Sequence, residues 1–129
     1  FRGNLRFLSS KLKKKIKLLE NKNSFHTKKL IILMNFSGRQ DVIDTINKIN
    51  FSKKNININN FYLNSILSDI PDPDLLIRSG GYQRISDFLL FNISFTELFF
   101  TKKLWPDLKY NDVQRIIIKY KKIERKFGL

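Results

Sequence analysis

The sequence predicts an α/β fold, a parallel sheet flanked by helices, and two observations carry that expectation. The runs LIILM at 30–34 and LLI at 75–77 are short and continuously apolar, as strands buried on both faces are. Each run leaves into a polar loop bearing glycine and arginine. The first loop holds Asn35, Phe36, Ser37, Gly38 and Arg39, and the second Arg78, Ser79, Gly80 and Gly81. A helical pattern follows the first loop, so strand, glycine turn and helix make half of a βαβ unit. Ligands of open parallel sheets collect beyond the carboxyl ends of the strands, and both loops are expected on that edge.

The elements follow in order. Residues 9–21 read as a basic amphipathic helix capped by Ser9 or Ser10, with Leu12, Ile16 and Leu19 on one face and Lys11, Lys13, Lys14, Lys15 and Lys17 on the solvated side. Residues 21–27 form a polar loop containing His26, the sole histidine, which has no partner in view. Residues 29–36 are a strand. Residues 41–50 are a helix with Val42, Ile43, Ile46 and Ile49 at helical spacing, 52–60 an Asn/Lys loop, and 60–67 a short helix capped by Asn59 or Asn60. Pro71 and Pro73 stop it and hand over to the strand at Leu75. A buried helix is expected over 88–95 with Ser86 or Asp87 as its cap, a strand at 97–100, and a turn at 105–107 with the Trp105 indole packed in the core. A helix over 111–127 carries the stripe Val113, Ile116, Ile117, Tyr120, Ile123 and Phe127, with Asn111 or Asp112 as cap and Gly128 just past its end. Residues 1–129 are expected to be a single domain.

Composition narrows the function classes. The formal net charge is +14, which first suggests a nucleic-acid or membrane-surface binder. Lysine outnumbers arginine 18 to 7, and lysine, asparagine and isoleucine make 48 of the 129 residues. That is the mark of A- and T-rich codons, so a nucleic-acid role is not expected, while anionic substrates and anionic lipid suit the charge. The absence of cysteine excludes disulfides and thiolate metal sites. No apolar run approaches the ~20 residues of a membrane span, and the basic start has no apolar signal core.

The second loop carries the chemistry. Arg78, Arg84, two serines, two glycines and the expected helix start lie within nine residues. Bidentate arginine donors, turn amides and a helix N-terminus are what a diphosphate needs. Glu97 stands among apolar residues, where a carboxylate either pairs with a cation or binds a metal.

The stretch LLIRSGGYQRISDFLLFNISFTELFFTKKLWPDL resembles the last signature region of the cis-prenyltransferases of the undecaprenyl diphosphate synthase type. The order is Asp-x-x-Ile-Arg, Gly, Arg-x-Ser, Phe-Leu-Leu, Glu, Phe, Trp-Pro-Asp. NFSGR at 35–39 is similar to that family's Asn-Tyr-Gly-Gly-Arg motif, and RGNL at 2–5 to its Gly-Asp-Leu turn. The resemblance implies the C-terminal part of a Rossmann-like fold and the condensation of isopentenyl diphosphate with an allylic diphosphate. It implies that Arg78, Arg84, Ile85 and Ser86 grip isopentenyl diphosphate, that Asn35 and Arg39 serve the allylic diphosphate with Asn35 catalytic, and that Glu97 holds Mg²⁺. It also implies a homodimer in the cytoplasm, able to associate with a membrane surface.

The departures from the family pattern are specific. Tyr82 stands where a glutamate is usual, Asp87 where asparagine is, and Phe91 where tryptophan is common; Lys126, Phe127 and Gly128 replace Arg-x-Gly. The first family signature, Met-Asp-Gly-Asn-Gly-Arg-Trp, with its catalytic aspartate, is not in the sequence. The 129 residues are thus expected to cover the C-terminal half and to be inactive unless the other half is supplied. The alternative is a non-catalytic or degenerate subunit of a heteromeric prenyltransferase.

Overall fold

The computed structural model describes residues 1–21 and 27–127. His26 and Gly128 lie outside them. The chain divides into two compact units, Phe1–Asp69 and Ile70–Leu129.

The first unit runs β1 (Arg2–Gly3), α1 (Ser10–Asn21), β2 (Leu33–Met34), α2 (Gly38–Phe51) and α3 (Ile58–Asn64). β1 and β2 are parallel, with Arg2 opposite Leu33 and Gly3 opposite Met34. The strand expected over 29–36 shrinks to two residues because a ladder extends only as far as its partner. Leu30, beyond that pairing, is 83% exposed. Gly3 has φ +99°, and a Cβ there would stand 2.2 Å from the Met34 carbonyl oxygen. The pairing therefore requires glycine.

α1 begins at its predicted place. Ser9 Oγ accepts from Leu12 N at 3.3 Å. Of the expected face only Ile16 is buried, while Leu12 and Leu19 are exposed. α2 is capped by Ser37, whose Oγ accepts from Gln40 N at 3.2 Å, and it buries Thr45 and Ile49 completely. α3 is capped by Asn57, not Asn59 or Asn60; its Oδ1 accepts from Asn60 N at 2.9 Å. The helix therefore starts earlier than the apolar spacing indicated. α2 packs on α3, and Ile49, Phe61 and Leu67 are buried in this unit.

Asp69 closes the unit through ion pairs to Arg2 at 2.6 Å and Lys29 at 2.8 Å. Hydrogen bonds from Lys29 and then Arg2 hold its carboxyl well below the ordinary 3.8. A depressed carboxyl contributes stability above its unfolded value, and that contribution is lost as pH falls through the folded one. The Asp69 carboxyl carbon resonance is expected to titrate well below 3.8, and titration near 3.8 would show that these pairs do not persist in solution.

The second unit holds β3 (Leu75–Arg78), β4 (Glu97–Phe100), a 3₁₀ turn (Trp105–Asp107) and α4 (Tyr110–Tyr120). β3 and β4 are parallel and pair along their whole length, from Leu75 opposite Glu97 to Arg78 opposite Phe100. The parallel pairing predicted from the apolar runs is thus present, among the described residues as two two-stranded sheets.

Residues 86–95 form successive turns, not the predicted helix. Ser86, Asp87 and Leu89 have φ of 50°, 64° and 47°, left-handed values that a right-handed helix cannot include. Single turns replace it, with Phe88 N donating to Ile85 O and Asn92 N to Leu89 O. Leu89 and Asn92 are buried nonetheless. Trp105 is 78% exposed and is not packed in a core.

α4 stops well short of the predicted end because the chain beyond it is held elsewhere. The Arg125 guanidinium pairs with Asp74 and donates to the Phe95 carbonyl at 3.0 Å. The cap differs too: Lys109 N donates to Asp112 Oδ2 at 3.0 Å, so Asp112 serves from inside the first turn.

Candidate functional site

Among the described residues, each unit carries a cleft. In the first, a cleft of about 740 Å³ opens where β1 and β2 end, lined by Gly3, Asn4, Asn35, Ser37, Gln40 and Lys48 among others. The turn leaving β2 sits on Asn35 at φ 47°, a left-handed value that asparagine tolerates better than most residues. That turn delivers Ser37 to the cap of α2, whose first turn faces the cleft. Asn35 lines the cleft, while Arg39, exposed on the first turn of α2, is not among its lining residues.

Asp41 and Asp44 also line it. Asp41 accepts from Ile66 N at 3.2 Å, and burial is the main cause that raises its carboxyl above 3.8. Asp44 accepts from Gln40 at 2.8 Å. Arg6 and Lys48 are the cations of the lining. Gly3 and Asn4, noted in the sequence only as part of a short turn, share this cleft with Asn35.

In the second unit a cleft of about 420 Å³ is lined by Leu76, Ile77, Arg78, Ser79, Ile85 and Phe88. Arg78 ends β3, and its Nε is buried without a hydrogen-bond partner among the described residues. Asp74, at the other end of this segment, pairs with Arg125. Arg84 and Ser86 are exposed and do not line this cleft. The Arg84 guanidinium lies over the Tyr82 ring, 4.2 Å from its centroid.

The turn amides expected to face a ligand are otherwise engaged. Gly80 N donates to Lys103 O at 2.8 Å and Gly81 N to Thr101 O at 3.0 Å. Both glycines have positive φ, 91° and 83°, so the loop is fastened to the segment after β4. With the helix at 88–95 absent, its N-terminus is not available either. Of the anion donors expected in this loop, the side chains are what these engagements leave.

Glu97 is half-buried at the start of β4. It pairs with Leu75, three residues from the Arg78 end of the ladder, about 10 Å along the strands. Alternation puts it on the opposite face from Arg78. The ion pair with an arginine considered from sequence is not formed among the described residues. No group of three or more His, Cys, Asp or Glu that could hold a metal occurs among the described residues. Glu97 does not line the Arg78 cleft, and a Mg²⁺ ion held by this one carboxylate would have to complete its shell with phosphate and water. Among the described residues no helix is long and apolar enough to cross a membrane.

A family model described as putative undecaprenyl diphosphate synthase matches residues 1–128. An isoprenyl transferase of Thermotoga maritima is 39% identical over 122 residues, which cover 91% of this chain and 52% of that protein. The crystal structure of a probable undecaprenyl diphosphate synthase from Campylobacter jejuni aligns over 99% of this chain and 61% of its own, with TM-score 0.82 and 31% identity. Lavandulyl diphosphate synthase from Lavandula x intermedia, in complex with dimethylallyl diphosphate, aligns over 99% of this chain and 58% of its own, with TM-score 0.89 and 28% identity. The chain spans about half the length of the curated relatives it matches.

Proposed function

The chain belongs to the undecaprenyl diphosphate synthase family of prenyltransferases, and on that premise we propose that it serves the condensation of isopentenyl diphosphate with an allylic diphosphate. The observation that carries this reading is Arg78. Its Nε is withdrawn from water with no partner among the described residues, a costly arrangement that a phosphoryl oxygen would relieve. Arg78, Arg84, Ile85 and Ser86 are the isopentenyl diphosphate residues of the proposal. Asn35 and Arg39 serve the allylic diphosphate, with Asn35 at the reacting end. The structure of a relative with dimethylallyl diphosphate supports an allylic substrate for this chain.

In the reaction the allylic carbon–oxygen bond breaks and diphosphate leaves with its electron pair. The alkene of isopentenyl diphosphate forms the new bond to that carbon, and loss of a proton sets a cis double bond. The chain's own contribution is to hold two diphosphates and to offset their charge, which is positioning and electrostatic stabilisation. Mg²⁺, with Glu97 as one ligand, supplies further neutralisation of phosphate charge when bound. A pair of identical subunits and contact of the lysine-rich α1 with anionic lipid, in a cytoplasmic protein, complete the proposal.

Titration calorimetry tests it. Isopentenyl diphosphate is expected to bind and isopentenyl alcohol to show no binding, with Mg²⁺ tightening the diphosphate complex and Glu97→Gln removing that tightening. Supplied with the amino-terminal half of a relative, the chain is expected to convert labelled isopentenyl diphosphate and an allylic diphosphate into longer prenyl diphosphates. Equal binding of alcohol and diphosphate overturns the substrate assignment. Diphosphate binding with no transfer by the completed protein leaves a non-catalytic subunit instead.

A further inference from the structure

We propose that Tyr82 is a positioning residue for Arg84, holding the guanidinium by its face so that the planar N–H edge stays open to phosphoryl oxygens. This rests on the diphosphate reading of the same loop. Three observations carry it. The Arg84 guanidinium carbon is 4.2 Å from the Tyr82 ring centroid. Among the described residues Arg84 forms no ion pair, so the ring is what holds it. Tyr82 follows directly on Gly80 and Gly81, whose amides are bonded to Lys103 and Thr101, so the ring stands on backbone that is already fastened.

The chemistry of the pair suits this use. Stacking engages the π face of a guanidinium and leaves its five donors, which lie in the plane, unspent. A carboxylate in place of the ring would occupy those donors and cancel the charge. The ring does neither. Arg84 is exposed, and a long exposed side chain must surrender rotamer freedom to grip a ligand. Stacking removes part of that freedom before the ligand arrives, so the gain is an affinity that acts through Arg84 alone.

Inorganic pyrophosphate binding to the 129-residue chain, read by calorimetry with thermal midpoints as the folding control, decides the matter. Tyr82→Ala is expected to weaken binding about two- to fivefold, the range of an exposed cation–π contact. Tyr82→Phe keeps the ring face and is expected to restore that loss, which separates stacking from a hydroxyl contact. In an Arg84→Ala background Tyr82→Ala is expected to cost nothing more, since a positioning residue has no effect once its client is gone. The inference is overturned if Tyr82→Ala costs the same in both backgrounds, if it costs nothing in the parent, or if Tyr82→Phe binds as weakly as Tyr82→Ala. A parent chain that does not bind pyrophosphate overturns the diphosphate reading itself, and this inference with it.

Discussion

Arg78→Ala is expected to weaken pyrophosphate binding about 10- to 100-fold, the range for charge-assisted hydrogen bonds from one guanidinium. Arg78 ends β3 in register with Phe100, so its backbone is fixed by the ladder and its side chain enters the small cleft with little freedom left to lose. Its Nε is buried and unpartnered among the described residues. The free chain therefore bears the cost of that group, and the proposed diphosphate oxygen would recover it. The same reasoning predicts a small effect on folding. Alanine removes an unsatisfied donor as well as the apolar stem, so the thermal midpoint should change little while the affinity collapses. Arg78→Lys is expected to lose most of the affinity too, because an ammonium cannot reproduce the bidentate fork. Unchanged binding in Arg78→Ala would remove this residue from the site, and a parallel loss of folding would make its role structural.

Gly3→Ala is expected to cost about 3 kcal/mol of stability or more, a large share of the 5–15 kcal/mol that holds a typical domain. Two effects add. The backbone at φ +99° strains any L side chain, and the new Cβ would lie 2.2 Å from the Met34 carbonyl oxygen, a backbone atom that cannot swing aside. Gly80→Ala separates the effects. Gly80 has φ +91° but no atom within 4 Å of an added Cβ, so it should show the strain alone, about 1–2 kcal/mol. Urea denaturation of the two variants reads the difference. Equal losses would show that the Gly3 contact with Met34 relaxes without cost. A larger loss at Gly3 would also disturb the cleft that Gly3 shares with Asn35.

The parts legible in the sequence were those set by local pattern. The apolar run at 75–77 paired as a strand, and α1 and α2 formed on their spacing, although α2 starts earlier than expected because Ser37 caps it. The failures came where a tertiary partner overrode local preference. Residues 88–95 look helical, yet Ser86, Asp87 and Leu89 adopt left-handed angles. The stripe after Tyr120 ends because Arg125 is claimed by Asp74 and Phe95, a bond no periodicity encodes. At the candidate site the residue types were readable and their engagement was not. Two glycines in a row announce positive φ, but not that their amides are spent on Thr101 and Lys103. Glu97 was legible as an isolated carboxylate, but its place at the far end of the ladder from Arg78 depends on register. The stacking of Arg84 on Tyr82 could have been suspected from an aromatic two positions before an arginine, though many such pairs never touch.

The fastening of Gly80 and Gly81 to the segment beyond β4 bears on how tightly such a loop can hold its guest. A hinge that must organise itself around each incoming anion forfeits part of the attraction as lost disorder. On the proposed diphosphate reading, the main chain is set before the anion comes, so capture would ask only side-chain ordering and less of the attraction would be forfeited.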